Sequence, residues 1–204
     1  MTTSALIRAI VADDAAAVSQ LLAASPDLAT ARAERGATRQ EARPYYLDEI
    51  GHYLYAGDTA LHIAAAGHRP AIVRMLLDAG ASVSARNRRG AQPLHYAADG
   101  APGSATWRPD AQAETVACLL DSGAEPDAAD SGGVTPLHRA VRTRCAAAVR
   151  ALLDGGADAR RPNKNGSTPM KLATQNTGRG GSGTPESKAQ QEQIVHLLEM
   201  HGGL

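Results

Sequence analysis

Three histidines are the first residues in this chain whose type and spacing suggest chemistry. His62, His95 and His138 each follow a leucine in similar short peptides, ALHIAAA, PLHYAA and PLHRAV. Imidazole is a common metal ligand and general base, so a recurring His invites a metal or acid–base reading. Gly178, Gly180 and Gly183 spell GxGxxG, the kind of loop that cradles phosphate. His52 beside Tyr53, with Asp48 and Glu49 nearby, is a polar cluster with acid–base potential. Arg139, Arg142, Arg144 and Arg150 lie in a run with no acid, which suits a phosphate or carboxylate. Cys118 and Cys145 have neither metal nor redox spacing.

The elements that must position these groups decide among them. GDTALHIAAAGH begins at Gly57, GAQPLHYAADG at Gly90, GVTPLHRAVRT at Gly133 and GSTPMKLATQN at Gly166, at intervals of 33, 43 and 33. Each leads to a second apolar block: AIVRMLLDAGA, TVACLLDSGA, AVRALLDGGA and QIVHLLEMHG. A weaker copy, SALIRAIVADD followed by AVSQLLAASP, starts the chain. Internal repeats of this length mean a stacked array in which no unit buries its faces alone. Ile72, Val73, Leu76 and Leu77 recur at helical spacing. Thr135 is placed to cap a helix whose first residue is Pro136, and Gly80, Gly123 and Gly156 sit where a left-handed residue ends a helix. Leu137 should point into the stack, and Ala64, Ala65, Ala97 and Ala98 let helices approach closely.

The period, the TPLH-like tetrapeptide and the LLxxGA ending resemble the ankyrin repeat over nearly the whole chain. The resemblance implies an all-α ankyrin-repeat solenoid of five helix–turn–helix units with β-hairpin fingers projecting from one edge. The units run approximately over 1–30, 57–89, 90–132, 133–165 and 166–204 of a single domain. It also implies that the repeated His holds its own turn. One repeat apart, at about 10 Å, His62, His95 and His138 cannot share a metal. A helix-like TPMKLA precedes the GxGxxG run, where a dinucleotide site needs a strand. Lys171 in place of the His, and Glu199 in place of a Leu, make the last unit a solvent-facing cap.

Three insertions depart from the repeat, and function is expected there. Spacing puts the first in the finger at 33–56 and the others between paired helices at 99–113 and 176–190. The first holds Tyr45, Tyr46, Tyr53 and Tyr55, four of the five tyrosines, and the second holds Trp107, the only Trp. Such rings serve as binding anchors, or they pack a long hairpin onto its own scaffold. Both readings stay open. Trp107, Arg108, Arg142, Arg144 and Arg179 are expected on one rim, able to hold an anion or to pair with Asp99, Asp110 and Glu186. Thr184 and Pro185 would start the helix after the glycine loop. The fingertips alternate in charge: Arg86, Arg88 and Arg89, then Asp127 and Asp130, then Arg160, Arg161 and Lys164. That pattern sets a partner's register or is ordinary solvated turn.

Composition bounds the rest. Twenty-one basic residues balance 21 acidic ones, which disfavours a polyanion binder. Hydrophobic residues make up 43% and aromatics 3%, with no Phe, so aliphatic side chains and Ala must build the core. No apolar run is long enough to span a membrane, and MTTSALIRAIVADD is a poor signal peptide. Eighteen of the 21 basic residues are Arg, which with abundant Ala and Gly points to a GC-rich, bacterial coding source. The expectation is a cytoplasmic, monomeric, non-catalytic scaffold without cofactor or metal. It would bind another protein, and neither nucleic acid nor membrane, through Tyr45, Tyr46, Tyr53, Tyr55, Arg86, Arg88, Arg89 and the concave face. The alternative is a small-anion or nucleotide sensor on the arginine rim. Without a nucleophile–base pair, a carboxylate pair at a pocket, metal-ligand spacing or a phosphate loop, catalysis is not expected.

Overall fold

The computed structural model describes residues 2–102, 104, 107–175 and 185–203. Among the described residues ten α-helices pair into five antiparallel hairpins: α1 (Thr3–Val11) with α2 (Ala15–Ala24), α3 (Ala60–Ala66) with α4 (Pro70–Asp78), α5 (Pro93–Ala98) with α6 (Pro109–Asp121), α7 (Pro136–Arg142) with α8 (Ala146–Asp154), and α9 (Pro169–Thr174) with α10 (Pro185–Met200). The first helices of the pairs stack in order as an inner layer and the second helices as an outer layer. A two-stranded antiparallel sheet, β1 (Tyr46–Leu47) and β2 (His52–Tyr53), lies in the first insertion. The molecule is the all-α solenoid that the repeats imply.

Local chemistry explains each unit. Pro93, Pro136 and Pro169 open inner helices where no N–H is needed. The Thr135 hydroxyl accepts the His138 N–H, as its position predicts. Leu61, Leu94 and Leu137 are fully buried, as are Ala64, Ala65, Ala97 and Ala98, so inner helices pack backbone to backbone. Ile72, Val73 and Leu76 form the buried stripe of α4, with Leu77 at its margin. Outer helices end alike: the N–H groups of Ala81, Ala124 and Ala157 return to the carbonyls of Leu76, Leu119 and Leu152. That closure needs a left-handed residue, and Gly80, Gly123 and Gly156 supply it at φ of 87°, 87° and 89°.

The insertions are shorter as loops than their spacing suggests. Residues 109–113 are helix, because Pro109 opens α6 a turn early with good helix formers behind it. Residues 185–190 belong to α10, which starts at Pro185 as expected, while Thr184 lies outside the described residues. Lys171 and Glu199 are exposed at the end of the stack.

Gly133 and Gly123 separate two demands on glycine. Both hold positive φ, 72° and 87°. A Cβ on Gly133 would lie 2.8 Å from the backbone nitrogen of Lys164 on the next finger, whereas one on Gly123 would meet nothing within 4 Å. Gly123→Ala should therefore cost about 1–2 kcal/mol, the price of the left-handed backbone alone. Gly133→Ala should cost at least about 3 kcal/mol, because neighbouring fingers must also part. Urea unfolding of both variants checks this; equal losses would show that close finger approach adds nothing to stability.

Candidate functional site

The first insertion leaves and rejoins the solenoid through a narrow neck. Ala33 N–H donates to Asp58 O at 2.7 Å and Gly57 N–H returns to Ala33 O at 2.7 Å. Gly36 lies so close to the Tyr55–Ala56 backbone that no side chain would fit. Beyond the neck, Tyr46 pairs with Tyr53 and Leu47 with His52 across the small sheet. The chain turns at Gly51 in a left-handed conformation, φ 61°. The hairpin folds back over the inner layer: Ile50 reaches Gly67 at the end of α3, and the His52 ring lies 4.4 Å from that of Tyr96 on α5.

The four tyrosines do not share one environment. Tyr46 and Tyr53 pack at 4.8 Å between centroids, and Tyr53 and Tyr55 at 6.4 Å. Arg43 sits over Tyr46, and Arg88 and Arg89 over Tyr55 at 5.8 and 5.0 Å. Tyr53 is the exposed ring, at 37%. Tyr45, half-buried, contributes its carbonyl to Leu54 N–H and lies outside the ring stack. Arg86 faces the next finger, donating to the carbonyls of Gly90 and Ala129, and is a tie within the scaffold.

Beneath the hairpin lies a polar cluster that the sequence reading did not identify. Asp58, 1% exposed, accepts from Tyr96 OH at 2.8 Å, Asn87 Nδ2 at 2.8 Å and Tyr55 N–H at 2.7 Å. Burial pushes its pKa up to about 6 against those three donors. Burial and the Asp58 charge together raise the Tyr96 phenol far above its usual value. Arg139 on α7 stands over the Tyr96 ring and bridges Asp99 at 2.9 Å and Asp130 at 3.2 Å. His52 is held below its ordinary pKa by desolvation. Asp58, Tyr96 and His52 have acid–base character, yet the cavity of about 720 Å³ beside them is lined by His52 and Asp99 and not by Asp58 or Tyr96. The signal available in the sequence was Tyr96 itself, a phenol in an inner helix opposite an acid one repeat earlier.

The repeated histidines are structural. Nδ1 of His62 accepts from Thr59 N–H at 3.1 Å and that of His95 from Gln92 N–H at 3.1 Å. Nε2 of His62, His95 and His138 therefore donates to the carbonyls of Ala91, Val134 and Ser167 on the following fingers, at 3.1, 3.0 and 2.9 Å. Among the described residues no group of three His, Cys, Asp or Glu is placed to hold a metal.

The expected arginine rim forms only in part. Trp107 donates its indole N–H to Gln112 at 2.8 Å, and with exposed Arg108 it borders the cavity beside His52. Arg142 lies 3.9 Å from Asp99, one of the acids expected to pair. Arg144 is 4% exposed, holds the left-handed turn before α8 and donates to Ser187 Oγ at 2.9 Å, so it points into the stack and away from a rim. Arg179 and the GxGxxG run lie outside the described residues.

Residues 56–88 match the family model for the ankyrin repeat, and residues 119–173 match the model described as ankyrin repeats (many copies). No curated protein matches the chain.

The histidines set a pH dependence. Burial lowers His62 to about 3 and His68 and His95 to about 4, and lowers His138 as well. As pH falls below the ordinary value of 6.5, the unfolded chain takes up protons that the folded chain refuses until about pH 4. Stability is therefore lost across that window. Asp58 acts oppositely, because its folded pKa of about 6 exceeds the ordinary 3.8, but it is one carboxyl against these imidazoles. The net loss between about pH 7 and pH 4.5 should reach about 2 kcal/mol or more, read from urea midpoints. A flat profile would mean that the imidazoles titrate normally in the fold.

Proposed function

Because this chain is an ankyrin-repeat protein, an array of a kind that generally serves protein–protein interaction, we propose that it is a non-catalytic scaffold whose partner contacts the Tyr-rich first finger. The observation that carries this reading is the stack of Tyr46, Tyr53 and Tyr55 on the inserted hairpin, with Tyr53 open to solvent. Aromatic rings fixed by their neighbours give contact area at little entropic cost. The hairpin itself covers the inner face at α3 and α5, so a partner would reach that part of the concave face by way of the hairpin surface.

The buried cluster favours the same reading over catalysis. Asp58 and Tyr96 satisfy one another within the core and are not among the residues lining the cavity beside them. The anion-sensor alternative needs Arg142 and Arg144 on a common rim, and these side chains face Asp99 and Ser187. The reading extends to a cytoplasmic monomer that binds neither nucleic acid nor membrane. Cys118 and Cys145, both free and buried, suit a reducing compartment. Among the described residues no helix is long and apolar enough to cross a membrane.

Affinity purification from the native cell, with the wild type beside a Tyr45, Tyr46, Tyr53 and Tyr55 alanine variant of verified fold, tests the proposal. A stoichiometric protein captured by the wild type and lost from the variant is expected. Retention of every partner by the variant would remove the finger from the interface. Inorganic phosphate, nucleotides and small carboxylates should leave the melting temperature unchanged; a clear rise with any of them would restore the sensor reading.

A further inference from the structure

Between the first insertion and the next fingertip lies a cavity of about 670 Å³. Its lining includes Thr38, Arg39, Tyr53, Tyr55, Arg88 and Arg89. Three arginines therefore line one space, and no Asp or Glu is among its lining residues. Several neighbouring arginines are engaged elsewhere: Arg32 and Arg86 on finger carbonyls, Arg43 with Asp48, Arg139 with two aspartates. Arg39, Arg88 and Arg89 join no ion pair among the described residues. Like charges gathered without a counter-ion repel, and a bound anion relieves that repulsion.

The pocket is also pre-ordered. The Tyr55 ring holds Arg88 and Arg89 by cation–π contact, and Arg88 Nη2 donates to the Ala37 carbonyl. Arg39 rides on a tight turn fixed at both ends, with Thr38 N–H donating to Glu41 O at 3.0 Å and Glu41 N–H to Thr38 Oγ1 at 3.0 Å. Guanidinium forks match carboxylates in a plane, and the exposed Tyr53 ring borders the same cavity. A single small anion would leave most of this volume empty. Several acids along a peptide, with an apolar residue against Tyr53, would use the arginines and the ring together.

Resting on the scaffold reading, the geometry points to an acidic peptide segment as the partner element, its carboxylates held by Arg39, Arg88 and Arg89 and an adjacent apolar side chain by Tyr53. The chemistry extends that reading from a surface to a class of sequence.

Panning a random peptide library on the full chain tests it without a known partner. Enriched peptides should carry two or more neighbouring Asp or Glu residues with an apolar residue beside them. Arg39→Glu with Arg89→Glu keeps the Arg88 hydrogen bond, and neither replaced side chain donates a hydrogen bond among the described residues. Binding of a labelled enriched peptide to this variant should weaken about tenfold or more. The same charge change made far away, Arg8→Glu with Arg150→Glu, should weaken it less than about threefold, as screening attenuates distant charge. Glu→Gln in the peptide should abolish binding. The inference is overturned by an absence of enrichment, by enriched peptides without acids, by equal losses in the two variants, or by a single-stranded oligonucleotide outcompeting the peptide at the same arginines. A cellular partner lost from the tyrosine variant but retained by Arg39→Glu/Arg89→Glu would leave the scaffold standing and refute the acidic pocket alone.

Discussion

The structure depends on one bridge made repeatedly: an imidazole that accepts from its own turn and donates to the backbone of the next finger. Because Nδ1 of His62 and His95 takes the helix-entry N–H, Nε2 must carry the proton, and it points to a carbonyl one repeat on. The link fixes spacing between units that cannot bury their faces alone. Backbone bonds at the fingertips repeat the same connection, from Arg88 N–H to Ala56 O, Ser131 N–H to Arg89 O and Lys164 N–H to Gly132 O. Asn87, Asp130 and Asn163 hold the turns that present these groups, each accepting two backbone N–H groups. The repeated fingertip charge is thus carried on turns whose shape serves the stack.

Two further layers of polar contact rest on this frame. Asp58 is buried because it stands at the junction of the insertion's return, the next finger and the next inner helix, through Tyr55, Asn87 and Tyr96. Arg139 continues the connection to Asp99 and Asp130 in the unit before it. A carboxylate there is costly unless every donor is in place. The hairpin, two fingers and two inner helices therefore share one condition for being ordered.

Much of this was legible in the sequence. Repeat spacing located five helix pairs, the caps at Thr135 and Pro136, and the helix-ending glycines, because each is a local rule repeated in register. The loop bounds were less legible, since spacing counts extra residues without saying that Pro109 will extend a helix to take some of them. Residue type alone makes Arg144 a surface charge, whereas its left-handed turn aims the side chain inward to Ser187. Asp58 and Tyr96 are 38 residues apart and meet only when units stack, so no local pattern announces them. The arginine pocket needed the insertion's path, which joins Arg39 to residues of a different finger.

The neck at Ala33 and Gly57 has a consequence for how such a molecule changes over time. Two backbone bonds close the excursion where it begins, so the repeats on either side meet as though nothing lay between them. Loop-closure entropy grows only slowly with length. The segment 34–56 is in this sense a cassette: its surface side chains can be exchanged, provided the few residues that meet Asp58, Tyr96 and Arg88 keep their fit. Substitutions there can remake one edge of the molecule while the stack keeps its own geometry.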